Sequence, residues 1–112
     1  MPTNQLGDRV RELRLGNGLS QRELAAQVNV GFPYISKVEN GLEVPGEDTL
    51  VAIAKALGVE ADGLLLLADR IPSEVADIIR SKKVATTFLR KWKSGEISDA
   101  EVERLINPDG WR

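Results

Sequence analysis

The stretch Leu19-Ser20-Gln21-Arg22-Glu23-Leu24-Ala25-Ala26-Gln27-Val28-Asn29-Val30-Gly31-Phe32-Pro33-Tyr34-Ile35-Ser36-Lys37-Val38-Glu39-Asn40-Gly41 decides how this chain is read. Ser20 with Glu23 three residues on is a capping box, in which each side chain satisfies the other's free backbone N–H at a helix start. Leu24, Ala25 and Val28 then fall on one helical face. Asn29-Val30-Gly31 breaks the pattern. A second helix starts near Phe32-Pro33, where proline costs nothing because a first-turn N–H has no helical partner. Ile35 and Val38 form its inner face, and Asn40-Gly41 stops it. Two short helices joined by so short a turn must cross steeply to share one core. Ala25 is the small residue expected at the crossing. A second helix held this way projects from the body and can enter a DNA major groove.

Outward from this stretch the spacing stays helical, with no strand-like alternation of useful length. Upstream, Leu6, Val10 and Leu13 recur at helical intervals until Gly16-Asn17-Gly18. Downstream, Pro45-Gly46 precede a helix with Leu50, Ile53, Ala54 and Leu57 inward and Gly58 as its stop. A short helix over about Ala61 to Leu67 closes a set of five. Asp69-Arg70-Ile71-Pro72-Ser73 reads as a boundary. Beyond it three more helices are expected. One carries Val75, Ile78 and Ile79. The next carries Val84, Phe88 and Trp92 with Leu89 beside them, and ends at Ser94-Gly95. The last opens on a second capping box, Ser98 with Glu101, carries Val102, Leu105 and Ile106, and ends at Asn107-Pro108-Asp109-Gly110. No internal repeat or low-complexity tract is present.

Composition sets the outer limits. A chain of 112 residues has room for one compact domain and an appendage, and 42% apolar residues can build a core. There is no Cys and no His, which removes Cys/His zinc sites, Cys nucleophiles, His bases and disulfides together. No phosphate loop or activated nucleophile is visible, so neither an enzyme nor a cofactor or metal requirement is expected. No secretory segment follows Met1, and no apolar run is longer than Leu64–Ala68, far short of a membrane span. A cytoplasmic protein, in a bacterial cytoplasm or nucleoid, is the expectation. The net charge is −2, so composition by itself does not point to nucleic acid. Residues 1–70 hold 7 Lys/Arg against 10 Asp/Glu, whereas 71–112 hold 8 against 7. Within the latter, Arg80, Lys82, Lys83, Arg90, Lys91 and Lys93 lie in a stretch free of acids.

The 19–41 stretch resembles the phage lambda repressor and Cro family, also called the xenobiotic-response-element family of regulators. Leu19-Ser20-Gln21, Ala25, Tyr34-Ile35-Ser36-Lys37, Val38-Glu39-Asn40-Gly41 and, after the fourth helix, Leu57-Gly58-Val59 match its motif in register. The resemblance covers about residues 6–67. It implies an all-α protein: a five-helix lambda-repressor-like DNA-binding domain at 1–70, followed by a C-terminal helical region of about three helices at 71–112 for dimerisation or regulation. It implies a dimeric repressor on a palindromic operator. Gln21 would hold a phosphate and brace the recognition helix, and Asn40 would grip another phosphate. Phe32, Pro33, Ser36 and Lys37 would face bases, Tyr34 would lie along the DNA backbone, and Arg22 belongs to the same DNA-binding set. Arg14 and Glu39 would form a partly buried ion pair tying the first helix to the third.

Three positions depart from the family pattern. Asn29 stands where glycine is usual, at a turn that needs a left-handed residue; asparagine is the next best choice. Leu42-Glu43 stands where relatives often carry Lys or Arg for phosphate. Phe32-Pro33 replaces a helix start that often holds Gln or Ser. Phe32 could touch a thymine methyl, or it could fold back against Leu24 or Val28.

Other features have plainer readings. Arg9, Arg11 and Arg14 on one helix, and the basic run 80–93, read as solvated faces with DNA contact as the alternative. Val84, Phe88 and Trp92 read as core or a dimer seam rather than a ligand pocket. Ser20 is a cap without a base to activate it. Double-stranded DNA and a second copy of the chain, through 71–112, are the expected partners. Alternatives are an antitoxin whose DNA binding is secondary, with a toxin as partner, or a repressor inactivated by a partner protease or anti-repressor, for which the segment near Ile71-Pro72 would be one accessible cut region.

Overall fold

The computed structural model describes residues 4–110, and among them every regular element is a helix. In chain order these are α1 (Gln5–Gly16), α2 (Gln21–Gln27), α3 (Phe32–Glu39), α4 (Glu47–Leu57), α5 (Ala61–Leu67), α6 (Ser73–Ser81), α7 (Lys83–Ser94) and α8 (Asp99–Ile106). No helix among the described residues is long and apolar enough to cross a membrane. The chain forms two compact units, Met1–Pro72 and Ser73–Arg112.

In the first unit each of the five helices turns one apolar stripe to a common centre. Leu6 and Val10 of α1, Leu24 and Ala25 of α2, and Ile35 and Val38 of α3 meet Leu50, Ile53, Ala54 and Leu57 of α4 and Leu64 and Leu65 of α5. Leu13, placed on the inner face by its spacing, packs at the edge of this core. Fully burying each such aliphatic side chain contributes roughly 1.5–3 kcal/mol.

Polar side chains close the unit around that core. The Asn4 side chain caps α1 by accepting from the Gly7 N–H, and its Nδ2 donates to the Glu39 carbonyl at 2.6 Å. Gly7 has to be glycine for this approach, since a Cβ there would stand 2.5 Å from the Glu39 carbonyl oxygen. Asn17 Nδ2 donates to the Leu57 carbonyl at 3.2 Å. Arg70 Nε donates to the Pro45 carbonyl at 2.7 Å, fastening the loop before α4 to the segment after α5.

In the second unit α6 and α7 pack together, with the Phe88 and Trp92 ring centroids 6.1 Å apart along α7. Trp92 Nε1 donates to Asp99 Oδ1 at 2.6 Å, linking α7 to the first residue of α8. Both parts of the Ser98–Glu101 capping box are formed. Burial is sparse here. Among the described residues of this unit Val102 is the buried apolar side chain, at 7% exposure, while Val84, Leu105 and Ile106 are 73%, 70% and 78% exposed. Among the described residues of this unit Val84 therefore joins no core. The reason is size, because three short helices cannot cover one another's apolar stripes on both sides.

Candidate DNA-binding surface

The surface is built on Glu39, the last residue of α3, which is buried at 5% exposure. Arg14 of α1, also buried, donates to it twice, Nε to Oε2 at 2.6 Å and Nη2 to Oε1 at 3.0 Å. The third direction of the guanidinium is taken by the Leu19 carbonyl, which accepts from Nη1 at 2.8 Å. Gln21, the first residue of α2, donates Nε2 to Glu39 Oε1 at 3.1 Å. One carboxylate thus joins α1, α2 and α3. A buried charge is tolerable only when its lone pairs are met in this way, and among the described residues no buried polar side-chain atom lacks a partner. The result is a third helix whose rotation about its own axis is locked.

The turn between α2 and α3 sets where α3 points. Asn29 takes φ +59°, the left-handed conformation its position demands. The Val30 N–H donates to the Ala25 carbonyl at 3.0 Å, closing the end of α2. Ser20 and Glu23 complete the capping box at the start of α2. Hydrogen bonds from Ser20, chiefly its backbone N–H, hold the Glu23 carboxyl below the usual carboxylate range.

The open side of α3 carries the residues singled out from the sequence. Pro33, Lys37 and Asn40 are exposed, and Phe32, Tyr34 and Ser36 are half-buried. Asn40 Nδ2 lies 3.5 Å from Ser36 Oγ, one turn apart on the same helix. Partial burial raises the Tyr34 phenol above its ordinary pKa, and the charge of Glu43 adds to this while Arg70 opposes it. The Phe32 ring neither joins the core nor stands bare. The Arg22 guanidinium lies over it, 4.5 Å from the ring centroid. Arg11, Arg14, Ser20, Gln21, Arg22 and Phe32 line one open cleft, so α1 contributes Arg11 to the same surface. Leu42 and Glu43, just past α3, are exposed and bring no positive charge.

Sequence reading did not find Asn4 and Gly7, which seat α1 against the end of α3, or the Arg22–Phe32 stack. Asn4 three residues before Gly7 is a recognisable cap signal. Nothing local signals its reach to Glu39.

Two helices joined across a left-handed turn, with the second locked from behind and its front free, define a helix-turn-helix protein. The family described as Helix-turn-helix matches residues 10–64. An uncharacterised HTH-type transcriptional regulator of Mycobacterium tuberculosis is 41% identical over 73 residues, 64% of this chain and 52% of that protein. The HTH-type transcriptional regulator ImmR of Bacillus subtilis is 35% identical over 101 residues, 90% of this chain and 72% of ImmR. Among solved structures, the biofilm master regulator SinR in complex with DNA superposes with a TM-score of 0.51 at 31% identity, covering 54% of this chain and 97% of that one. The chain belongs to the helix-turn-helix family of transcriptional regulators, of the lambda-repressor and Cro type. It spans about half the length of the mycobacterial relative.

Proposed function

We propose that this protein binds double-stranded DNA sequence-specifically, as a homodimer on a palindromic operator, and represses transcription by occupying it. The observation that carries the reading is the Glu39 junction, which locks α3 to α1 and α2 while leaving Pro33, Lys37 and Asn40 on an open face. Pre-set recognition residues lose little freedom on binding, and that favours affinity. The SinR complex with DNA supports the nature of the ligand. Gln21 and Asn40 take the phosphate roles, Tyr34 lies along the backbone, and Ser36 and Lys37 read base edges, with Lys37 suited to guanine O6 and N7. Such a protein acts where bacterial DNA is, in the cytoplasm.

One recognition helix covers too few base pairs to be selective, so two are paired about one DNA turn, or ~34 Å, apart. Residues 71–112 are the pairing region in this proposal, because Val75, Val84, Leu89 and Trp92 of α6 and α7 are all exposed. Apolar stripes of this kind mark protein contacts. The same exposed faces favour a second reading, in which they dock a different protein, a toxin or an anti-repressor, and DNA binding is secondary.

Binding selection on random duplexes followed by footprinting tests the proposal. The expected result is a two-fold-related pair of half-sites at that spacing, with a guanine near Lys37, and a dimer in sedimentation. A monomer that selects no sequence overturns it. A monomer that becomes a defined heteromer with a co-purified small protein supports the second reading. Because residues 1–70 hold 7 Lys/Arg against 10 Asp/Glu, few phosphates are neutralised and affinity should depend only shallowly on salt.

A further inference from the structure

The first turn of a recognition helix is the part that contacts base edges when such a helix docks in the major groove. In this chain that turn begins Phe32-Pro33. Neither side chain can donate or accept a hydrogen bond. Taken alone, α3 would be blind to base polarity at its leading end. The structure brings a hydrogen-bonding group to that spot from the preceding helix, for the Arg22 guanidinium sits 4.5 Å from the Phe32 ring centroid.

Three other guanidinium groups of the first unit are engaged, and Arg11 lines the same cleft as Arg22 without lying over the ring. Arg9 pairs with Glu12, Arg14 with Glu39, and Arg70 with the Pro45 carbonyl. Among the described residues the Arg22 side chain makes no ion pair and no hydrogen bond, and what it touches is the Phe32 face. A guanidinium stacked on an aromatic ring keeps its N–H fork free at the edge and loses less freedom when it forms a bidentate contact. Guanine, with O6 and N7 side by side in the major groove, is the base such a fork matches.

We propose that Arg22 reads a guanine in each half-site and that Phe32 is its positioning residue, holding the guanidinium by its ring face rather than specifying a base itself. This rests on the DNA-binding reading above. A phosphate contact is the competing assignment for Arg22. It is disfavoured because Arg22 is held over the leading residue of α3, where base edges are met.

The test uses the full chain and the duplex it selects. Each guanine of a half-site is replaced in turn by 7-deazaguanine, which lacks only the N7 acceptor. The wild type should lose about tenfold or more in affinity at one guanine assigned to Arg22, distinct from the one near Lys37, in keeping with the 1–3 kcal/mol of a bidentate base contact. Arg22→Met keeps an unbranched chain over the ring and loses every donor, so its affinity should no longer respond to that replacement. Phe32→Tyr keeps the ring face and should behave as wild type. Phe32→Leu should lose discrimination at that same base pair and no other, a pattern that a merely structural role for the ring would not produce. Circular dichroism confirms folding of each variant, and Arg22→Met, on the surface, carries the test if Phe32→Leu does not fold. Uniform weakening of Arg22→Ala on every sequence, with the salt slope reduced by about one unit, would make Arg22 a phosphate contact and overturn the proposal. So would an Arg22→Met protein with unchanged base preferences. A wild type that selects no operator at all overturns the regulator reading itself, which is a separate outcome.

Discussion

Ser20 with Glu23 in the first unit and Ser98 with Glu101 in the second are the same capping box, formed in the same way. The helices they open differ in what happens to their apolar residues. In α2, Leu24 and Ala25 lie inside the shared core of the five helices, at 0% and 2% exposure. In α8, Val102 is covered, but Leu105 and Ile106 remain 70% and 78% exposed. Local sequence can therefore start and stop a helix equally well in both places, while burial depends on how many neighbours there are to share it. The first unit is complete as a folding unit. The second has apolar surface that its own described residues leave uncovered, which is the physical ground for assigning it a partner.

The hardest blow to the first unit should come from Glu39→Ala. It leaves the buried Arg14 guanidinium with the Leu19 carbonyl as its remaining acceptor and removes the acceptor of Gln21. Breaking one side of a buried pair costs about 3–5 kcal/mol. Amide hydrogen exchange should speed up across α1 to α5, and denaturant midpoints should fall. Equal acceleration in α6 to α8 would mean that the two units unfold as one and would break the comparison.

For the second unit, Val84→Asp should act on assembly rather than on folding of the single chain. Val84 is 73% exposed, so the change in intrinsic stability should stay within about 0.5 kcal/mol. Sedimentation should show the dimer lost, as should a chain ending at Pro72, which keeps the whole of the first core. An undiminished dimer in both would remove α6 to α8 from the interface.

The turn provides a smaller, sharper test. Asn29→Val places a β-branched residue at φ +59° and should lower thermal stability by about 1–2 kcal/mol, whereas Asn29→Gly should be neutral or stabilising. The opposite order would show that Asn29 is held by its side chain and not by its backbone.

The smallest effect is expected at the paired caps. Ser20→Ala and Ser98→Ala should each cost about 1 kcal/mol of local helix stability. Only the first should shift the global unfolding of α1 to α5. The Glu23 carboxyl, held below its ordinary pKa by Ser20, contributes stability that is present above its unfolded-state pKa and is lost as pH falls through the lower, folded value. Ser20→Ala keeps the backbone N–H and should weaken that acid dependence only in part, whereas Glu23→Gln should remove it.

Elements bounded by local signals are legible in the chain itself. Capping boxes, Asn40-Gly41 and Gly95 act within one helical turn, so their residues carry the information directly. The Arg14–Glu39 pairing could be named because a family resemblance supplied it; α1 and α3 reveal nothing of it one residue at a time. Leu105 and Ile106 show the opposite case. Their spacing places them correctly on an apolar face, but spacing says nothing about whether anything covers that face.

By itself the sequence determined the helical class, the order of the helices, the left-handed turn at Asn29 and the family, because each depends on neighbours a few residues apart or on a motif in register. The tertiary structure alone decided that Asn4 reaches the Glu39 carbonyl, that Arg70 holds the Pro45 carbonyl and that Arg22 covers Phe32. Those contacts join groups brought together by the packing of whole helices. Their geometry is set by the shape of the shared core and not by any local preference of the residues that make them.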